Sequence, residues 1–241
     1  MSSVLVTGAN RGIGLGIVRQ LLVEPSVSTV IATARNVDSA KELKALAGPK
    51  LHLISLEVVS PESIDNAVKK VSEIVGDAGL DVLVNNAGIG YNVPLNGEID
   101  KAKAMEQLEV NSIAPLLIVN KFYSLLKKAS AKRGSAQIAN ISSELGSIES
   151  AKYLYIGLPA AVYAMSKSAL NMLTRRISVE WQNDKIRATS FCPGWVKTDM
   201  GTDAALLTVD ESTVPLTKLI LSLTEKNNGL YFKYSGEQIP W

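Results

Sequence analysis

The chain has 241 residues, of which 46% are hydrophobic, enough for one domain with a large core. A net charge of +2, with both signs interspersed, gives no reason to expect a nucleic acid or an anionic membrane as partner. One cysteine (Cys192) excludes an internal disulfide, one histidine (His52) excludes a histidine-built metal centre, and no apolar run reaches membrane-spanning length, so a cytoplasmic, metal-free protein is expected.

The elements alternate from the start. A strand over residues 4–6 runs into Thr7-Gly8-Ala9-Asn10-Arg11-Gly12-Ile13-Gly14, and a helix follows with Ile17, Val18, Leu21 and Leu22 on one face. Glycines between a strand and a helix let the backbone turn sharply and approach a pyrophosphate, which the helix N-terminus then faces with free N–H groups. Further strands are expected over residues 30–34, 51–56, 82–85, 137–141, 188–192 and 231–234, each a continuous apolar run as in strands covered on both faces. Ser60 caps a helix opened by Pro61, and Pro115 predicts a kink or break within residues 98–129. Met165, Ala169, Leu173, Ile177 and Trp181 repeat every four residues along a helix that also carries Tyr163. This alternation implies an α/β fold, a Rossmann-type doubly wound parallel sheet in three layers, as a single domain over residues 1–241.

About twenty residues past the glycine loop a dinucleotide site reads the adenosine ribose. The chain offers Ala34-Arg35-Asn36 there and no acid before Asp38. Arg35 suits a 2′-phosphate and Arg11 could add a second cation, which favours NADP over NAD.

Tyr163 and Lys167 stand four residues apart and so share a helix face. An ammonium at that range predicts a phenol titrating well below its ordinary ~10, usable as acid or base near neutrality. Tyr123 and Lys127 have the same spacing but lie in an apolar helical run, where a packed helix with a solvated lysine accounts for them.

Taken together, the glycine loop at 8–14, Asn85-Asn86-Ala87-Gly88, Asn111, Asn140-Ile141-Ser142-Ser143, Tyr163 with Lys167, and Pro193-Gly194-Trp195-Val196-Lys197-Thr198 resemble the short-chain dehydrogenase/reductase family in order across nearly the whole chain. Within it the chain is similar to the sniffer and C-factor-like carbonyl reductases. The resemblance implies a catalytic set of Asn111, Ser143, Tyr163 and Lys167. Ser143, rather than Ser142, would hydrogen-bond the substrate carbonyl, Tyr163 would donate the proton, and Lys167 would lower its pKa and hold the nicotinamide ribose. Asn111 would support a water that relays protons to Lys167. Gly8, Asn10, Arg11, Gly12, Ile13, Gly14, Arg35, Glu57, Val58, Asn86, Ala87, Gly88, Pro193, Val196 and Thr198 would contact the cofactor along with Tyr163 and Lys167.

Two departures stand out. Glu57 replaces the family's usual Asp near the adenine, and the Ser143–Tyr163 interval is long. Its Tyr153, Leu154, Tyr155, Ile156 and Leu158 either line a substrate pocket within the loop 144–162 or pack as a loop. Residues 199–215 are expected to form a lid. The implied activity is NADPH-dependent reduction of an apolar or aromatic ketone, aldehyde or quinone. Secondary-alcohol oxidation (steroid- or retinoid-like) and a non-catalytic NADPH sensor are the alternatives. Many relatives pair through the helices bearing Asn111 and Tyr163, so a homodimer or homotetramer is a further expectation.

Overall fold

The structure is a computed structural model that describes residues 2–153 and 159–241. The seven apolar runs become β1 (Ser2–Val6), β2 (Val27–Ala34), β3 (Leu51–Ser55), β4 (Val82–Asn85), β5 (Ala136–Ile141), β6 (Ile186–Cys192) and β7 (Tyr231–Lys233). They form one parallel sheet in the order β3-β2-β1-β4-β5-β6-β7. Between them run α1 (Gly12–Val23), the short α2 (Lys41–Lys44), α3 (Pro61–Val75), α4 (Lys101–Leu108), α5 (Ala114–Arg133), α6 (Ala161–Glu180) and α7 (Val209–Ser222).

Both faces of the sheet are covered, which is why the strands lack a polar side. Leu5, Ile31, Leu83 and Ile138 pack with Ile64 of α3, Phe122 and Leu126 of α5 and Ile177 of α6. Val4, Val6, Val30 and Phe191 pack on the other face with Ile17 and Leu21 of α1 and Leu216 and Ile220 of α7. Burying a side chain such as Phe122 contributes about 1.5–3 kcal/mol.

Near the C-terminal ends of the strands the first face turns polar. In the register that aligns Leu83, Ile138 and Ala188, the next row on that face is Asn85, Asn140, Ser190 and Tyr231. Asn85 donates to Asn140 Oδ1 at 2.8 Å, Asn140 donates to Thr174 Oγ1 of α6 at 2.8 Å, and Thr174 meets the Ser190 hydroxyl at 2.8 Å. Removing one partner would leave a buried polar group unpaired, at about 1–3 kcal/mol. The row therefore fixes the height of α6 on the sheet.

The break expected at Pro115 is a widened turn. Between α4 and α5 the backbone takes one π-helical turn, Glu109–Ile113. Pro115 has no N–H, so the Asn111 carbonyl loses the bond it would ordinarily make four residues on.

The second Tyr-x-x-x-Lys pair is structural. Tyr123 donates to Asp184 Oδ2 at 2.5 Å, Lys127 pairs with Asp184 at 2.9 Å, and the Tyr123 ring packs on Trp181 with centroids 4.8 Å apart. Together they tie α5 to the turn after α6, a tertiary role beyond the packed helix read from the sequence.

Candidate active site

The chain lays β1, β2 and β3 outward in one direction and then places β4 on the other side of β1. Ligands of open α/β sheets bind at such a switch point, beyond the C-terminal strand ends. The glycine loop after β1 and Asn86–Gly88 after β4 consequently meet. Thr7 Oγ1 accepts from the Asn86 and Ala87 amides at 2.9 and 3.0 Å, and Asn86 Nδ2 donates to the carbonyls of Thr7 and Gly8 at 2.9 and 3.0 Å. Asn86 thus spends its side chain on holding the loop. A Cβ on Gly14 would lie 2.3 Å from the Gly8 carbonyl oxygen, and Gly8 and Gly12 adopt φ of 62° and 53°. These positions need glycine for space and for backbone conformation respectively.

Around this cradle, Gly12 faces Thr198, and Pro193 and Val196 lie on the same segment after β6. Asn10 and Ile13 are half-buried in the loop, Val58 is buried after β3, and Glu57 is half-buried, its amide donating to Ser63. Arg35 is exposed at the end of β2, with no ion pair among the described residues. Arg11, expected beside it as a second cation, instead pairs with Asp199 at 2.5 Å. That pair joins the glycine loop to the segment beyond Thr198.

At the other end, α6 brings Tyr163 and Lys167 under the tip of β5. The Ser143 hydroxyl lies beside the Tyr163 phenol. Ser142 points the other way, into the core, toward the Lys167 carbonyl. Lys167 is 5% exposed, and its Nζ donates to the Ile141 carbonyl at 2.9 Å. Asn111 has its whole amide engaged: it accepts from the Ile89 amide at 2.9 Å and donates to the Ile89 carbonyl at 2.8 Å and Ser166 Oγ at 3.1 Å. A Cβ on Gly88 would lie 3.1 Å from Asn111 Oδ1 and 3.6 Å from Lys167 Nζ, so Gly88 connects the cradle to this cluster.

The electrostatics correct the spacing argument. Burial pushes Tyr163 up to about 12, with the nearby Ser143 hydroxyl acting the other way, and burial brings Lys167 down to about 8. The i,i+4 spacing fixes where the Cβ atoms sit but not where an ammonium points. Lys167 turns to Ile141, leaving Nζ 5.6 Å from the centroid of the Tyr163 ring. At that distance the loss of solvent outweighs the attraction.

Beside Tyr163, Gly90 and Val93 belong to a segment missed in the sequence, and they meet the expected lid and loop. Gly90 has no side chain, and a Cβ there would meet Met200 Sδ at 3.3 Å and Tyr163 Cδ2 at 3.8 Å. Trp195 Nε1 donates to the Gly201 carbonyl at 2.8 Å, and Val93 pairs with Ala160 just before α6. The range expected as a lid, 199–215, runs into a helix. Thr208 and Glu211 form a capping box, so residues 209–215 are the first turns of α7, packed where a Cβ on Gly16 would meet Val209 and Thr213. Within the loop 144–162, Tyr153 is exposed, and Leu154, Tyr155, Ile156 and Leu158 lie outside the described residues.

A glycine cradle connected through Gly88 to a half-buried serine and tyrosine and a buried lysine defines a nucleotide-linked redox protein. The short chain dehydrogenase model matches residues 2–206, and the chain belongs to that family of oxidoreductases. It is 41% identical to the NADPH-bound carbonyl reductase from chicken fatty liver, with a TM-score of 0.93 and coverage of 100% of this chain and 99% of that one. It is 36% identical to the carbonyl reductase Sniffer of D. melanogaster, with a TM-score of 0.94 and full coverage of both. An oxidoreductase of Schizosaccharomyces pombe is 31% identical over 255 residues, covering 98% of this chain and 96% of its own.

Proposed function

We propose that the protein is a cytoplasmic NADPH-dependent reductase that converts the carbonyl of an apolar or aromatic ketone, aldehyde or quinone to an alcohol, with Tyr163 as the proton donor. The observation that carries this reading is the Ser143 hydroxyl set beside the Tyr163 phenol, one helical turn from the buried Lys167 ammonium.

The residues present fit a nicotinamide dinucleotide. Gly8, Gly12 and Gly14 leave room for a pyrophosphate against the start of α1, and Arg35 is a cation suited to a 2′-phosphate. The cofactor would supply the hydride. The chain supplies the rest. Ser143 donates to the carbonyl oxygen, where charge develops. Tyr163, kept protonated by burial, passes its proton to that oxygen, because an alkoxide is a stronger base than even a buried phenolate. Lys167 then faces the phenolate as a cation. The Asn111 carbonyl, released by Pro115, accepts a hydrogen bond from a water that returns the proton through Lys167.

Exposed Met200 lies with Tyr163 around Gly90, and exposed Trp195 reaches the neighbouring Gly201 carbonyl; both favour an apolar substrate. Exposed Met165, Met172 and Val179 recur every seven residues on α6, and Ile113 of the π-helical turn and Leu116 of α5 are exposed as well. This stripe is symmetric about Met172 and suits a second copy of the chain across a twofold axis.

The test is NADPH consumption against a panel of quinones, aromatic aldehydes and ketones. Tyr163→Phe should abolish turnover and leave NADPH affinity within about twofold; retained turnover overturns the assignment. Faster oxidation of secondary alcohols with NADP than any reduction would assign the reverse direction to the same residues.

A further inference from the structure

The Ser143 main chain is held from below by the last element of the fold. After β7 the chain turns at Gly236 (φ 91°) and folds back: Phe232 pairs antiparallel with Gln238, and the Ile239 amide donates to the Tyr231 carbonyl at 2.8 Å. This hairpin meets the segment after β5 at four successive points. The Tyr231 phenol donates to the Ser143 carbonyl. Lys233 pairs with Glu144 at 3.3 Å. The Ser147 hydroxyl donates to the Pro240 carbonyl at 2.7 Å, and the Glu149 amide donates to the Trp241 carbonyl at 2.9 Å. The contacts run in the same order along both segments, so the hairpin acts as a template for residues 143–149.

Tyr231 is the buried member of the set. Its ring is fully enclosed, stacked on Trp241 with centroids 5.3 Å apart and packed with Cys192 and Ile239. Its phenol also lies near Ser142 and Asn171, and Asn171 and Ser168 donate to the Gly146 carbonyl at 3.1 and 3.0 Å. Burial holds the phenol far above its ordinary titration range, so it remains a donor at every working pH.

We propose that Tyr231 is a positioning residue for carbonyl reduction: its hydrogen bond to the Ser143 carbonyl sets the peptide from which the Ser143 hydroxyl reaches Tyr163. This rests on the function proposed above. The phenol touches no reacting atom; it acts on the main-chain carbonyl of the residue that carries the donor hydroxyl. Misplacement of such a donor lowers the rate of the chemical step far more than it weakens binding.

Tyr231→Phe keeps the ring and its stacking on Trp241 and removes only the hydroxyl. Its kcat should fall roughly 10- to 100-fold, while the Kd for NADPH stays within about twofold. In a Ser143→Ala background the same change should cost less than about twofold, because the group it positions is gone. Hydrogen exchange should rise in the peptide spanning residues 143–150 and not in β1 or α1. An unchanged kcat, or an equal loss in both backgrounds, overturns the proposal. If the parent chain reduces no carbonyl, the functional reading fails, and exchange alone decides the positioning claim: a rise confined to 143–150 upholds it, and no rise overturns it.

Discussion

Lys167 donates to the Ile141 carbonyl at 2.9 Å and stands 5.6 Å from the centre of the Tyr163 ring, so two groups on one helix face are coupled through space without touching. Burial lowers Lys167 from 10.5 to about 8, while Tyr163 rises to about 12. The first group to titrate on the alkaline side is thus the lysine. With NADPH saturating, kcat/KM for the carbonyl substrate should be level up to about pH 8 and fall above it as the ammonium is lost. Lys167→Met should remove that limb together with most of the activity. A limb that persists in the variant assigns it to another group.

The same shifts predict a stability profile. The folded chain releases the Lys167 proton near 8 while the unfolded chain keeps it to about 10.5, so this residue's contribution is full above 10.5 and lost as pH falls through 8. Tyr163 works in the opposite sense: its contribution is full below 10.0 and lost as pH rises through about 12. Urea midpoints of the parent and of Lys167→Met between pH 7 and 10 should converge as pH rises. Parallel curves would contradict the lysine shift.

Arg35→Ala should weaken NADPH about tenfold, the value of one charge-assisted hydrogen bond, and leave NADH unchanged. Because Arg11 is paired with Asp199, Arg11→Ala should have the smaller effect on the NADPH/NADH ratio. Fluorescence titration of both cofactors measures this, and an equal loss for both would show that Arg35 does not read the 2′-phosphate.

Gly14→Ala places a methyl 2.3 Å from the Gly8 carbonyl oxygen and 2.5 Å from Asn86 Nδ2. Neither neighbour is the free end of a flexible side chain, since Asn86 is bonded to the loop itself. A stability loss of about 1–3 kcal/mol is expected, with loss of cofactor binding. Thermal melts with and without NADPH test it; a ligand-induced rise in Tm equal to that of the parent would show that the loop tolerates the methyl.

Tyr123→Phe is the contrasting change. It removes the hydrogen bond to Asp184 and should cost about 1 kcal/mol of stability with turnover intact. On α6, Met172→Asp should shift sedimentation toward the monomer if a second copy covers the stripe; an unchanged profile removes that interface.

Much of the fold was legible because burial on both faces erases polar alternation, and all seven strands fall where apolar runs lie. The cluster was legible because Ser143, Tyr163 and Lys167 sit at fixed offsets from recognisable turns. Less was visible wherever a side chain's direction mattered more than its place. Spacing could not show that Lys167 turns to Ile141, that Arg11 reaches across to Asp199, or that Asn86 faces the loop's carbonyls. Tyr231 read only as part of an apolar strand, since its partner lies 88 residues away and is a main-chain atom. Residues 209–215 read as lid because the helix they open is marked only by the cap of Thr208 and Glu211 and contains Pro215.

Pro115 has one more consequence, for anyone wishing to harden this protein against heat. A proline two residues into a long helix invites replacement by alanine, which should restore a donor, regularise the turn and raise Tm. The restored N–H would point at the Asn111 carbonyl. The gain in helix would draw on the same oxygen that serves the lysine, so the more stable chain is expected to be the slower one.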